Sequence, residues 1–383
     1  MKKNTIQVIA LSMILVTSMV MAGCGGTDVT TANGSSTSAT VSENTSTSTG
    51  EDENITEDDS SNAEYEENTE TVAEPEQPVG SVENNEEISE IAEKETDKDS
   101  LAEWILDRED IEDRYNITSY DIPYGVTVIG EQCFNDTKLE SIRIPDSVRV
   151  IDKKAFHMCL ELKTVELPDS LEEIGEGAFQ YCKALTSITI PNSVNTLGEN
   201  CFTGCESVEE IKLPDGLTEI PRACFSSCEK LKAISLPEGI TDLGMDAFYG
   251  CESLEEMVIP EGITLLYKGT FHHCNSLKRV TVPEGVTRIG DEVFADCTSI
   301  VSVGLSGSGA DVELPNSLER IDYAAFIRCS SLTTVVLPDG LTTIEKRAFS
   351  ASPIETITYR GVTYESQDSF FEAFGAIEGN KVN

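Results

Sequence analysis

The side chains in this chain that could do chemistry are of two kinds: three histidines (His157, His272 and His273) and twelve cysteines in 383 residues. Imidazole ligates transition metals and moves protons near neutral pH, and a thiolate is a nucleophile or a soft ligand. The run His272, His273, Cys274 therefore looks like a ligand cluster. Its spacing argues otherwise. Each His lies in one of two variable positions between a Phe and a Cys three residues on, where other copies carry Gln180 and Tyr181, Thr203 and Gly204, or Ser226 and Ser227. Read as one helical turn, the segment buries Phe and Cys at i and i+3 and sends its two middle residues outward on diverging directions. A Cys-His nucleophile pair fails on the same ground, with the thiol inside and the imidazole outside. His157 is five repeats from His272, about 24 Å at ~4.8 Å per coil, too far to share an ion. HExxH, GxSxG and the Gly-Lys-Ser/Thr phosphate loop do not occur. The expectation is no metal, no cofactor and no enzyme.

What positions these residues is a string repeated along the chain, seen most clearly from Leu185 to Cys205. Pro191, Pro214, Pro237 and Pro260 stand 23 residues apart, as do Phe179, Phe202, Phe225 and Phe248. Ten Phe, from Phe134 to Phe349, fall in one slot of the repeat, and the other three (Phe370, Phe371 and Phe374) cluster near the C-terminus. Each unit is an alternating strand such as Thr186 to Ile190, with Ile188 and Ile190 inward and Ser187 and Thr189 outward. Pro191 has no N–H and ends the ladder. A turn follows, then a second apolar pair (Val194 and Leu197), a small residue such as Gly198, and the Phe-to-Cys segment. One unit has no second layer to bury its apolar side against, so the units must stack. The predicted fold is a mainly β repeat solenoid: a right-handed coil of short parallel strands and single helical turns, capped by short helices.

The same register explains the cysteines. Eight (Cys159, Cys182, Cys205, Cys228, Cys251, Cys274, Cys297 and Cys329) fill one slot, and Cys133, Cys201 and Cys224 precede a ladder Phe where Ala usually stands. Free Cys behaves as a small buried hydrophobe. Stacked coils bring ladder cysteines to about 4.8 Å, but parallel Cβ vectors hold the Cβ atoms beyond the ~3.8 Å of a disulfide. Reduced core thiols are the expectation.

Strings such as LTSITIPNSV and IGEGAFQYC resemble the BspA-like class of bacterial leucine-rich repeats. The resemblance implies a cell-surface or secreted protein that binds matrix proteins or other cells. The repeats span 117–364, about ten in number. The first and last are short, and one carries a nine-residue insertion between Val303 and Pro315. The Ser306–Asp311 run of the insertion, rich in Ser and Gly, is expected as a surface loop, a place where solenoids often bind. A cap helix is predicted over 101–116, with Trp104 closing the core, and another over 365–383 carrying the last three Phe.

Residues 1–23 have the charged start, apolar run and small-residue end of an export signal. Met21-Ala22-Gly23-Cys24 resembles the bacterial lipobox, which implies a diacylglycerol on Cys24 and anchorage to the outer face of a bacterial membrane. From Gly25 to Ser100, 22 acidic residues face only Lys94 and Lys98, a net of −20. The 24–100 stretch, Ser/Thr-rich and then acidic, cannot bury enough apolar area to order itself and reads as a disordered tether, about 50 Å in r.m.s. span. The whole chain carries −42, which excludes nucleic acid and leaves the lipid as its contact with the membrane.

With every repeat slot accounted for, the working surface is the outward face of the strands. Its candidate binding residues are Arg143, Glu166, Ser187, Thr189, Glu210, Lys212, Glu256, Arg279 and Thr281. Small hydroxylated and charged side chains suit a broad contact with a protein or glycoprotein, adhesin-like; the same residues also serve as ordinary solvent-facing strand positions. The alternative is a scaffold of the cell envelope with no foreign ligand.

Overall fold

A computed structural model describes residues 104–377 and 379–383, which belong to one compact unit, Ser89–Asn383. The signal segment, Cys24 and the tether lie outside the described residues. Most repeats contribute two strands. The first is the Pro-terminated one, such as Ser187–Thr189, and the second is a two-residue strand, such as Thr196–Leu197. Both pair in parallel with their counterparts in neighbouring coils, as in Ser187 opposite Glu210 and Ile174 opposite Leu197. The alternation expected of the first strand is present: Ile188 and Ile190 are buried and Ser187 and Thr189 exposed.

All ten ladder Phe are fully buried. They form one continuous stack, with neighbouring ring centroids 5.1 to 5.9 Å apart and rings within 24° of parallel. That spacing exceeds the ~4.8 Å strand repeat, so the rings are offset, the arrangement their quadrupoles favour. Charges also repeat by slot. Glu140–Lys163, Arg149–Glu172, Lys153–Glu176 and Glu209–Lys232 are ion pairs between adjacent coils. All are exposed, so they set register more than stability.

The Phe-to-Cys segment is not the expected helical turn. From Gly175 to Cys182 it is three overlapping turns: the N–H groups of Ala178, Gln180 and Cys182 donate to the carbonyls of Gly175, Gly177 and Phe179. The alternate N–H groups, of Gly177, Phe179 and Tyr181, donate to Glu199, Cys201 and Thr203 of the next coil. An α-helical turn would aim every N–H along its own axis and leave the neighbouring coil unpaired. The alternation requires left-handed residues on both sides of Phe, here Gly177 (φ 59°) and Tyr181 (φ 61°).

The N-terminal end also differs from the expected helix. Ile105–Leu106 is a strand paired in parallel with Val128–Ile129, followed by 3-10 turns at Arg108–Asp110 and Arg114–Asn116. A helix here would leave the edge of the second sheet open; the strand closes it. The core is closed by Leu106, Ile111 and Tyr120, whose ring meets Phe134 edge-on. Trp104 is 46% exposed, with its ring beside Gly125, where a Cβ would meet Cε3 and Cζ3 at 3.2 Å.

At the other end the helix Gln367–Gly375 buries Phe370, Phe371 and Phe374, and Ser366 caps it by accepting from the Ser369 N–H. The chain then returns as Lys381–Val382 to pair with Thr343–Ile344. The insertion contributes a strand as well as a loop. Val312–Leu314 takes the place beside Val280, while Ser302–Leu305 is displaced one position to lie between it and Thr334–Leu337. The first sheet thus gains a strand that the second lacks, since Arg288–Ile289 pairs directly with Arg320–Ile321.

Candidate functional site

The nine outward candidates are all exposed on the first sheet. Two pairs meet: Arg143 lies 3.6 Å from Glu166, and Glu256 is in direct contact with Arg279. The remaining five are exposed: Ser187 and Thr189 in one coil, Glu210 and Lys212 opposite them in the next, and Thr281 in the coil of Arg279. Farther along, Thr334 and Val336 are half-buried. The inserted loop covers this part of the face: a Cβ placed on Gly304 would meet Ser308 and Ala310 of the loop within 3 Å and Val336 at 3.5 Å. Asp311 fastens the loop by accepting from the N–H groups of Val301 and Ser302.

The exposed face is not one sheet. Its ladder breaks once between Thr164–Glu166 and Ser187–Thr189, and again after Glu210–Lys212, to resume only at Glu256–Val258. In this second break lies a whole coil, with Ala233, Ile234, Ser235 and Leu236. These four make no backbone hydrogen bond among those of the described residues. A cleft of about 540 Å³ opens on one side, against Glu210 to Leu213, and one of about 760 Å³ on the other, against Glu256 to Pro260. Leu236 is half-buried where its counterparts Leu213 and Ile259 are buried, and Val258 is 69% exposed. Pro221, in the preceding coil, stands in the slot from which Gly198 and Gly244 donate to the coil before. Lacking that N–H, it interrupts the second sheet next to the seam. Sequence reasoning picked Glu210, Lys212 and Glu256 on the rims but missed the seam between them.

The histidines are placed differently from their expected positions. His272 and His273 do not diverge. Their rings stack at 4.4 Å, 8° from parallel, and Tyr249 meets both edge-on. His272 Nε2 is 3.1 Å and His273 Nε2 3.9 Å from the same Asp296 Oδ2. The reason is the turn geometry: His273 is left-handed (φ 60°), which swings its ring back beside that of His272. Asp296 and Arg328 occupy the His273 slot in the next two coils, and Arg328 grips the carboxylate through Nε and Nη2, both at 2.7 Å. Reading charges one repeat apart would have found this ladder. Burial, and then the neighbouring His273, hold the His272 imidazole below its ordinary pKa. Burial would raise the Asp296 carboxyl, but Arg328 and His272 outweigh it and keep it below the usual carboxylate range. His157 stands apart, with Nδ1 3.0 Å from Asn135 Oδ1.

All eleven described cysteines are free and buried. In the ladder each thiol donates to the carbonyl of a Phe in the preceding coil, as Cys205 does to Phe179. Burial pushes Cys205 and Cys251 up to about 12, so thiolate is scarce there at neutral pH. Cys159 is lowered by hydrogen bonds from Cys182 and Thr137, but it is as fully buried as the other ten, so access is closed throughout. Iodoacetamide is therefore expected to leave these eleven thiols unlabelled in the native protein and to label them all in urea, counted by intact mass. Fast native labelling of any of them would show that the stack is open.

Short parallel strands in one-repeat register over identical apolar slots define a leucine-rich-repeat solenoid. The chain belongs to the BspA type: the model of the BspA type leucine rich repeat region (6 copies) matches residues 111–221, 195–309 and 305–378. No curated protein matches the chain. Among solved structures it is similar to a leucine rich cell surface protein from Faecalibacterium prausnitzii (23% identity, 66% of this chain and 90% of that one, TM-score 0.35). It is also similar to a leucine rich repeat protein of T. pallidum (29%, 45% and 71%, TM-score 0.32). A third is the pneumococcal vaccine antigen PcpA (20%, 67% and 78%, TM-score 0.43).

Proposed function

We propose that the chain is a surface protein, lipid-anchored through Cys24, that binds a protein or glycoprotein non-covalently on the outward face of its first sheet and catalyses nothing. The observation that carries this reading is the seam at Ala233 to Leu236. Strand backbone left unpaired beside solvent is a template for an added strand. Here it carries the half-buried Leu236 and is flanked by the exposed Val258 and by Glu210, Lys212 and Glu256. Backbone pairing supplies affinity, the rim charges supply selectivity, and the separate outward residues of other coils extend the contact. Among the described residues no helix is long and apolar enough to cross a membrane.

The test is capture of matrix proteins, mucin and arrayed glycans by the purified full chain. Ser235→Trp, which fills the clefts, is expected to weaken the captured ligand at least about tenfold, the scale of one interface hot spot. Ser141→Trp, on the same face away from the seam, should change binding little. Equal binding by both variants would remove the seam from the contact. No capture at all, with crosslinks on live cells only to copies of the same chain, would replace this reading with an envelope scaffold.

A further inference from the structure

We propose that His272, His273 and Asp296 form a zinc site. Three features of the cluster carry this. Its donors lie close together: one ligand atom from each of the three residues falls within 4.8 Å of the others, and both imidazole Nε2 atoms face Asp296 Oδ2. Donors bound at 2.0–2.2 Å in a tetrahedron sit roughly 3.4 Å apart. The 3.1 Å from His272 to Asp296 is a hydrogen bond here, and the two rings are nearly parallel. An ion must therefore replace the imidazole N–H and turn the stacked rings until both Nε2 lone pairs aim at one point, which also closes the 3.9 Å from His273.

The donor types select the metal. Two imidazoles and one carboxylate suit zinc and its transition-metal neighbours, whereas calcium and magnesium take oxygen ligands. The acidic surface elsewhere therefore does not compete on equal terms.

The surroundings hold the ligands in place. Tyr249 packs against both ring edges, and the coil ladder fixes the backbone on either side, with His273 N–H on the Ala295 carbonyl and Asp296 N–H on the Ile327 carbonyl. Arg328 is the opposing feature, because its charge competes with a cation. It approaches Oδ2 through one N–H, and a carboxylate oxygen accepts along two directions; the second is held by His272 Nε2 and is the one an ion would take over. Arg328 then orients the carboxylate as outer partners of metal ligands do. With three protein ligands the fourth position faces solvent, since the His273 side chain is 41% exposed. An incoming donor can complete the tetrahedron there, which would give the solenoid a contact point separate from the seam.

The test uses the full 383-residue chain, stripped with chelator and titrated with zinc against a chromophoric competitor. Excess magnesium and calcium occupy the acidic groups. One tight equivalent is expected in the unmodified chain. It should weaken at least about 100-fold in the His272→Ala, His273→Ala double variant, the upper end of what losing even an outer partner costs. His157→Ala should bind like the unmodified chain. Cobalt substitution reads geometry without any variant: intense visible d–d bands mark a tetrahedral ion. Equal zinc binding by the double variant, or only the pale spectrum of an octahedral cobalt ion, would overturn the site.

Discussion

Phe202→Ala is expected to cost about 4 kcal/mol of stability, the scale for emptying a buried aromatic site that cannot collapse. The Phe202 ring lies between Phe179 at 5.5 Å and Phe225 at 5.9 Å, nearly parallel to both. Neither neighbour can move into the space, because each is held in turn by the next ring in the stack. The cavity therefore persists. In a solenoid, stability is a sum of coil terms and nearest-neighbour interfaces. Phe202 contributes to two such interfaces, and the coil after it already lacks one ladder bond at Pro221. Urea unfolding should show a lower midpoint and a transition that broadens or splits as the two halves uncouple. Tyr124→Ala, at a side chain 82% exposed, should stay within about 0.5 kcal/mol of the unmodified chain. A loss below about 1 kcal/mol for Phe202→Ala would mean that the stack relaxes like a liquid and that the ladder is not what orders the coils.

The second large effect is expected from removing 365–383. This segment closes the far end twice over. Phe370 and Phe374 cover Tyr359, with Phe374 at 5.1 Å, and Lys381–Val382 pairs the last strand of the second sheet. Without it Tyr359 is uncovered and Thr343–Ile344 presents an open edge. Terminal repeats need such a cover to remain monomeric. The truncated chain should self-associate in light scattering and melt on the order of 10 °C lower, given a few degrees per kcal/mol for a unit of this size. Phe374→Asp, which keeps the edge strand while placing a charge in the cap, should lower the melting temperature with less association. A truncated chain that stays monomeric and melts unchanged would show that the helix is an appendage.

The ladder was legible because it is written in residue identity. A slot that admits only Phe, or only Cys and its small substitutes, must be interior in every coil, so burial could be read from 23-residue spacing alone. The outward positions were legible for the complementary reason: Ser187 and Thr189 alternate with Ile188 and Ile190, and a strand has only two sides. The C-terminal helix followed from Phe370, Phe371 and Phe374 at helical spacing.

Other features depend on where N–H groups point, which residue type encodes weakly. The Phe-to-Cys segment has a helical spacing of apolar residues, yet it adopts alternating left-handed turns because its N–H groups serve the next coil. The paired imidazoles follow from that choice. In a helix His272 and His273 would splay; in this turn they meet over Asp296, which lies 23 residues further along the chain. The leading segment around Ile105 became a strand for a related reason, since a sheet edge needed a partner. Ala233 to Leu236 have the same alternation as Ser187 to Ile190, and nothing in their types announces that they pair with neither neighbour. Composition and period determined the solenoid, its core and its two faces, because burial acts on each residue separately. Only the tertiary structure decided the seam and the histidine cluster, because backbone pairing and side-chain convergence belong to two coils at once.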